Sequence, residues 1–349
     1  MPYNHGMAHI TLVLPFALPV PEFAPDLVRA LAPDAPSLAA LLSRTSAYER
    51  VPADEAVRAL PHEQWLARAL GLLDAGRPAL AGAAMRGRGI DPGAGTWFIV
   101  NPAHIEIART HLLMADLRHL GLNEAHSRAL FGAARPYVEE AGHQLAWGDA
   151  QTWFMRADDW AGLDTATPDA AVGMDLTDWM PLGAHAAAFR RLQNEVQILW
   201  HTHPANAERE ARRLPPINAF WLWGAADARR ARGAGAPALA AFDAAPWVDA
   251  LADAHPADLP GFVAGLEKDT ILVCGSAAAP AIGADWGGWV AQMAQLEAAL
   301  FAPILGALMQ GRVREVSLVL SHRDAHAAST TNALAQRKFW RRPTLDRLL

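Results

Sequence analysis

Four short runs in this chain carry almost no polar side chain: HITLVL (His9–Leu14), AFWLW (Ala219–Trp223), TILVC (Thr270–Cys274) and VSLVL (Val316–Leu320). Runs of this length without alternation are expected of strands covered on both faces, as in a central parallel sheet. Segments of helical spacing lie between them. Ser37–Arg44 and Gln64–Leu73 are two, and Leu122–Glu140 is a third, with Asn123 placed to cap it and Glu124 in its first turn. A long amphipathic helix over Trp289–Leu308 leads into VSLVL. Apolar strands alternating with helices predict an α/β fold with a doubly wound, mostly parallel sheet.

The texture changes between residues 95 and 170. Short strand-forming stretches at Trp97–Val100, Leu145–Trp147 and Thr152–Met155 surround one helix there. This predicts a smaller inserted α/β domain over 95–170, with the core built from 1–94 and 171–349. Ala83–Gly95, rich in Gly and Arg, reads as a loop leading into it.

At 349 residues with 52% hydrophobic and 19% charged positions, the chain is long and apolar enough for a large core. A net charge of -6 gives no overall footprint for nucleic acid. The basic clusters Arg212-Arg213, Arg229-Arg230 and Arg337–Arg342 read as solvated faces. Cys274 is the sole cysteine, which excludes an internal disulfide and a cysteine zinc site. Prolines at 15, 19 and 21 interrupt the first apolar run, and Pro303 interrupts Ala298–Met309, which is too short to span a bilayer. The composition therefore predicts a cytoplasmic protein with no membrane insertion and no nucleic-acid partner. It leaves open an unknown small molecule or protein as partner.

The segment RRLQNEVQILW-HTHPANAERE-ARRLPPINAFWLWG crowds amides and guanidiniums beside an apolar run. Such groups are costly to bury unpartnered, so Asn194, Asn206, Arg209 and Asn218 are either a ligand site or side-chain stitching of a helix, a turn and a strand edge. His201-Thr202-His203 could bind zinc if extended, but equally ends a helix before Pro204. His322-Arg323-Asp324-Ala325-His326 is the densest titratable cluster and directly follows a predicted parallel strand, where ligand sites gather in doubly wound folds. His322, Asp324 and His326 could hold one metal there, or form a plain surface loop. His62 and Glu63 could act as an acid–base pair, or open a helix.

The same segment resembles the "HPvN..R...G..pAN.iWlWG" region of archaeal-type cofactor-independent phosphoglycerate mutases, in the alkaline phosphatase superfamily. Weaker strings follow in the same order: Leu70-Gly71 with Gly76-Arg77-Pro78, Met114-Ala115-Asp116 with Leu122–Ala125, Thr165–Gly173 with Trp179–Pro181, and Leu296–Leu308. The resemblance implies an alkaline phosphatase-like fold and two metals held by Asp and His around a Ser or Thr nucleophile. Yet the first strand ends Leu14-Pro15-Phe16 where the family has Asp-Gly. Pro61-His62-Glu63 stands at the nucleophile turn, Gly275-Ser276 follows the TILVC strand, Phe301 replaces an Asp in the helix near the carboxyl terminus, and Ser321-His322 replaces Asp-His. Glu297 alone is kept in its helix. The strings PHE…LARALGL and LQNE…HP.N…R.LPP.N.FW resemble the RpfE-type regulatory protein family. Together these imply a non-catalytic regulatory or ligand-binding relative, with the two-metal site lost and no cofactor. The rivals are an active mutase or phosphatase with a rewired site, and a purely structural partner in a membrane or signalling complex. Asn206, Arg209 and Asn218 are the expected ligand-binding residues, with His62, His322 and Asp324 as candidates for any residual chemistry.

Overall fold

The computed structural model describes residues 8–108 and 110–349. Its two larger sheets are built from β1 (Ala8–Leu14), β2 (Ala47–Pro52), β3 (Thr96–Ala103), β4 (Gln144–Trp147), β5 (Trp153–Arg156), β6 (Ala219–Asp227), β7 (Ala238–Phe242), β8 (Thr270–Cys274), β9 (Val313–Ser321) and β10 (Ala325–Asn332). The chain forms two compact units, one from residues up to Asp54 together with Gly235–Leu349, the other from Glu55–Ala234.

The first unit holds a six-stranded sheet in the order β7-β8-β1-β9-β10-β2. The β7/β8, β8/β1 and β1/β9 pairs are parallel, and β9/β10 and β10/β2 are antiparallel. This is the mixed α/β class with a mostly parallel central sheet that the apolar runs predict. Ile10, Leu12 and Leu14 of β1 share one apolar cluster with Leu272, Leu318 and the helices packed above them. The largest of these spans Trp286–Met309, 24 residues long. It is longer than the Ala298–Met309 run, and it is long and apolar enough to cross a membrane by length and composition alone. Pro303 is the second residue of its last helical stretch, Ala302–Met309, where the regular bonding pattern has already been interrupted. Trp289, Met293, Leu300, Phe301 and Ile304 from this helix are buried in the core. A π-helical turn at Glu297–Phe301 interrupts it.

The second unit carries a four-stranded antiparallel sheet, β6-β3-β5-β4. Two predictions change here. AFWLW is not a central parallel strand: it lies in β6 and runs antiparallel to β3. It is apolar throughout because both faces are covered. Phe220 and Leu222 enter one cluster, while the Trp221 and Trp223 indoles donate to Ala166 O and Asn101 Oδ1 on the other side. The fourth parallel strand is instead the Ala-rich β7. The expected boundaries at 94/95 and 170/171 both fall inside this unit, since β3 pairs along its length with β6.

Helices Glu124–Glu140 and Ala186–His201 cover the sheet through Leu130, Phe189 and Trp200, with Trp153 and Trp200 edge to face at 5.9 Å. Asn123 caps the first of these as expected, its Oδ1 accepting from His126 N at 2.8 Å. Ala83–Gly95 is not all loop, because Ala81–Gly87 is helical, with five alanines and glycines packed too closely for a larger side chain at Gly82.

Candidate functional site

In the first unit the carboxyl ends of β1, β8 and β9 are the places where the family resemblance puts metal ligands. β1 leaves the sheet through Pro15 and Phe16, and Phe16 holds a left-handed φ of 59°. A bulky residue adopts that conformation only when its surroundings fix it. Here the Trp289 indole donates to Phe16 O at 2.8 Å, Phe16 N donates to Ser321 Oγ at 3.5 Å, and Leu18 N donates to Ser321 O at 3.1 Å. Phe16 is 6% exposed and Phe301 is fully buried. At the end of β8, Ser276 Oγ donates to Asp243 Oδ2 at 2.7 Å. Gly275 packs so close to Asp243 O that a β-carbon would sit 2.2 Å from it. Glu297, the one acid kept from the family helix, accepts from Ser37 N at 2.7 Å and Leu38 N at 3.1 Å. Both its oxygens thus cap the helix Pro36–Ser43, whose first N–H groups have no partner within the helix.

The 322–326 run makes the hairpin from β9 into β10, with residues 322–324 as the turn, and is not a loop crossing from a parallel strand. His322 N donates to Ala325 O at 3.0 Å, and Asp324 N to His322 Nδ1 at 2.9 Å. The reversal turns the Asp324 side chain outward, 85% exposed, while His322 is buried. His326 lies within β10, opposite Ser321. No group of three or more His, Cys, Asp or Glu able to hold a metal ion occurs among the described residues. His322 Nε2 is buried without a hydrogen-bond partner. Burial holds this imidazole below its ordinary pKa, against the pull of Asp324.

In the second unit, the polar set of the HPAN segment faces backbone. Asn206 donates through Nδ2 to Trp200 O at 2.9 Å and Ile217 O at 2.8 Å, and its Oδ1 accepts from Ile217 N at 2.8 Å. Arg209, with no exposed surface, donates to the carbonyls of Pro215, Leu120 and Gly121. Asn218 pairs with both backbone groups of Ile105, each at 2.8 Å. These side chains stitch a helix, a turn and strand edges together, and their hydrogen-bonding capacity is spent on backbone. Asn194 is exposed, and its buried neighbour Gln193 donates to Phe220 O instead. His201 ends one helix and His203 caps the next, its Nδ1 accepting from Ala205 N at 3.1 Å.

Around the His62-Glu63 pair gather Thr167, Arg118, Asp116 and Asp169, which the sequence pattern does not single out. Pro61-His62-Glu63 opens the helix Pro61–Ala69. Glu63 Oε2 accepts from Leu60 N at 2.8 Å, closing the helix start, and from Thr167 Oγ1 at 2.6 Å. His62 is buried beside it in the same turn. Burial, and then the charge of Asp169, push the Glu63 carboxyl up to about 8, although Thr167, Leu60 N and Arg118 pull the other way. Near neutral pH this carboxyl is therefore protonated. Arg118 joins Asp169 in a two-pronged pair at 2.9 and 2.5 Å and reaches Asp116 at 3.0 Å. Asp116 and Asp169 belong to two of the family-like strings, which was the signal available in the sequence.

Thr167 also lines a cleft of about 250 Å³. Arg58, Arg77, Asp74, Thr165 and Trp223 form other parts of its wall. Arg58 is spent on the carbonyls of Asp164, Met180 and Asp178 at 2.7–2.9 Å. Arg77 is half-exposed and pairs with Asp164 at 3.3 Å. With Arg58 committed to backbone, the half-exposed Arg77 guanidinium and the hydroxyls of Thr165 and Thr167 are the groups this wall offers to a small hydroxylated anion, with Asp74 beside them.

No family model matches this sequence, and no curated protein does. Solved structures do. The PH0037 protein from Pyrococcus horikoshii is similar at TM-score 0.50 and 13% identity, over 93% of this chain and 87% of that one. The cofactor-independent phosphoglycerate mutase from Thermoplasma acidophilum DSM 1728 matches at TM-score 0.42 and 14% identity, over 93% and 90%. The likeness to the Pyrococcus protein is one of fold. A mostly parallel sheet under packed helices is consistent with the alkaline phosphatase-type architecture that the motif order implies.

Proposed function

We propose that this chain is a ligand-binding, regulatory relative of the metal-dependent phosphoglycerate mutases, of the RpfE type, in which two-metal phosphoryl chemistry has been given up. The observation that carries this reading is the closure at the ends of β1 and β9. Two dications a few ångströms apart repel strongly and need several carboxylates to hold them. At these strand ends, Pro15–Leu18 is hydrogen-bonded to Ser321 and Trp289, and Glu297 is committed to capping. The residues present do not fit a metal pair.

The ligand-binding role falls to the cleft of the second unit. Its chemistry favours a small hydroxylated anion, with Arg77 taking the charge and Thr165 and Thr167 the hydroxyls. The test uses 3-phosphoglycerate as probe, by calorimetry on the full chain, beside assays of mutase and phosphatase turnover with added manganese and zinc. Binding that disappears in Arg77→Ala, without metal-dependent turnover, is the expected result. Stoichiometric metal with turnover that needs it would overturn the reading.

One observation favours the rival, a rewired enzyme: the Thr167 hydroxyl sits 2.6 Å from a buried carboxyl. Once ionised, Glu63 could take the Thr167 proton as a general base. Turnover of a phosphoryl or acyl substrate that rises with pH through the Glu63 titration, and is abolished in both Thr167→Val and Glu63→Gln, would favour that rival.

A further inference from the structure

The segment that follows β10 places apolar and basic side chains together on open surface. Leu334 is 73% exposed, Phe339 83% and Trp340 69%. The two rings are adjacent, with centroids 5.3 Å apart and planes at 83°. Arg337, Lys338, Arg341 and Arg342 flank them, and no acidic residue occurs between Asp324 and Asp346. In a chain of net charge -6, this is a local reversal of sign.

The base of the segment is well anchored. Gln336, 5% exposed, donates from its amide to Ala40 O, Arg44 O and Thr331 Oγ1. Lys338 Nζ donates to Thr45 O at 2.9 Å, and Arg44 Nε to Arg341 O at 3.3 Å. Successive turns link Arg337 to Leu334, Phe339 to Arg337 and Arg341 to Lys338. The rings therefore project from a fixed support. Beside them, Arg347 lies over the half-exposed Tyr48 ring at 4.2 Å, extending the aromatic and basic character of the face. A large apolar side chain left so open contributes nothing to the core, and a cluster of them marks a contact surface.

We propose that this face docks on an anionic phospholipid surface, with Phe339 and Trp340 entering the headgroup layer and the surrounding basic side chains pairing with lipid phosphates. Aromatic rings settle at the boundary between headgroups and acyl chains, and Lys and Arg beside them are drawn to a negative leaflet. Two features favour lipid over a single-stranded nucleic acid. Bases stack on flat platforms offered in parallel, whereas these rings stand edge to face. Exposed Leu334 has nothing to offer a base but partitions readily into an interface. The contact is peripheral and requires no crossing of the bilayer.

The experiment is co-sedimentation of the full chain with phosphatidylcholine vesicles, with and without phosphatidylglycerol, at low and high salt. Binding should require phosphatidylglycerol and weaken with salt. Phe339→Ala with Trp340→Ala should lower it roughly tenfold, and Arg341→Glu with Arg342→Glu should remove it, both with unchanged thermal unfolding. Brominated phosphatidylglycerol should quench part of the fluorescence of the 13 tryptophans, and that part should vanish in Trp340→Phe. No binding to phosphatidylglycerol vesicles at low salt, equal binding to neutral vesicles, or displacement of the vesicles by a single-stranded oligonucleotide would each overturn the proposal.

Discussion

Replacing Glu63 by glutamine removes one proton-binding site from the interior of the second unit while leaving its hydrogen bonds in place. Glu63 is 2% exposed, and its Oε2 accepts from both Leu60 N and Thr167 Oγ1. A glutamine carbonyl oxygen can accept both. The carboxyl is raised from 4.5 to about 8, first by burial and then by Asp169. In the window between those values the folded protein keeps a proton that the unfolded chain has released. Stability contributed by the neutral carboxyl is thus complete below the lower value and is lost as pH rises through the upper one. At about 1.4 kcal/mol per pKa unit the ceiling is about 5 kcal/mol. Solvent entering around an ionised Glu63 lowers the ceiling, so about 2–3 kcal/mol is expected between roughly pH 5 and pH 9. Urea unfolding of the two proteins across that range isolates the effect, because Asp116, Arg118, Asp169 and His62 are common to both. The difference curve should climb in favour of Glu63→Gln as pH rises. Parallel curves would refute the reasoning, as would a wild type that gains on the variant at high pH.

Other substitutions test the stitching and the closure. Arg209→Lys cannot reproduce a planar fork reaching the carbonyls of Pro215, Leu120 and Gly121, and should cost about 3 kcal/mol in urea unfolding. An unchanged midpoint would show those bonds to be dispensable. Asn218→Leu strands both backbone groups of Ile105 and should lower thermal stability by about 1–3 kcal/mol; a neutral result would place solvent there. Trp289→Phe keeps the bulk but loses the donor to Phe16 O, for about 1 kcal/mol. Faster hydrogen exchange at Ala17 and Leu18 should accompany it, and unchanged exchange there would show that the indole bond does not hold the turn.

The sequence made some of these features legible and hid others for identifiable reasons. β1, β8 and β9 are short, apolar and β-branched, and their place in the parallel sheet follows from that pattern. AFWLW carries the same pattern, yet lies in an antiparallel sheet. Complete burial erases the alternation that separates the two cases, and only the donors on Trp221 and Trp223 reveal a second covered face. β7, ALAAF, went unread because alanine has little strand preference and the chain is alanine-rich throughout. The titratable run at 322–326 looked like a ligand loop because nothing in SHRDAH marks a tight turn with Gly or Asn-Gly. Glu63, Thr167 and Asp169 come from segments about a hundred residues apart, so no spacing rule could unite them. The replacements at Pro15, Phe301 and Ser321 were legible at once; what fills their places is a matter of packing.

The split of the first unit along the chain bears on how the protein is made. Leu12 of β1 pairs with Leu272 and Leu318, so its partners are synthesised about 260 to 306 residues after it. At roughly 5–20 residues per second, a nascent HITLVL segment waits from about fifteen seconds to a minute before either neighbour exists. Glu55–Ala234 is contiguous and can collapse during that interval. The first strand cannot, and an unpaired apolar strand in the meantime is a template for pairing with other chains. Translation halted before Val313 would leave that strand without β9. The HITLVL segment is thus the part of this chain that depends on shielding until β8 and β9 have been made.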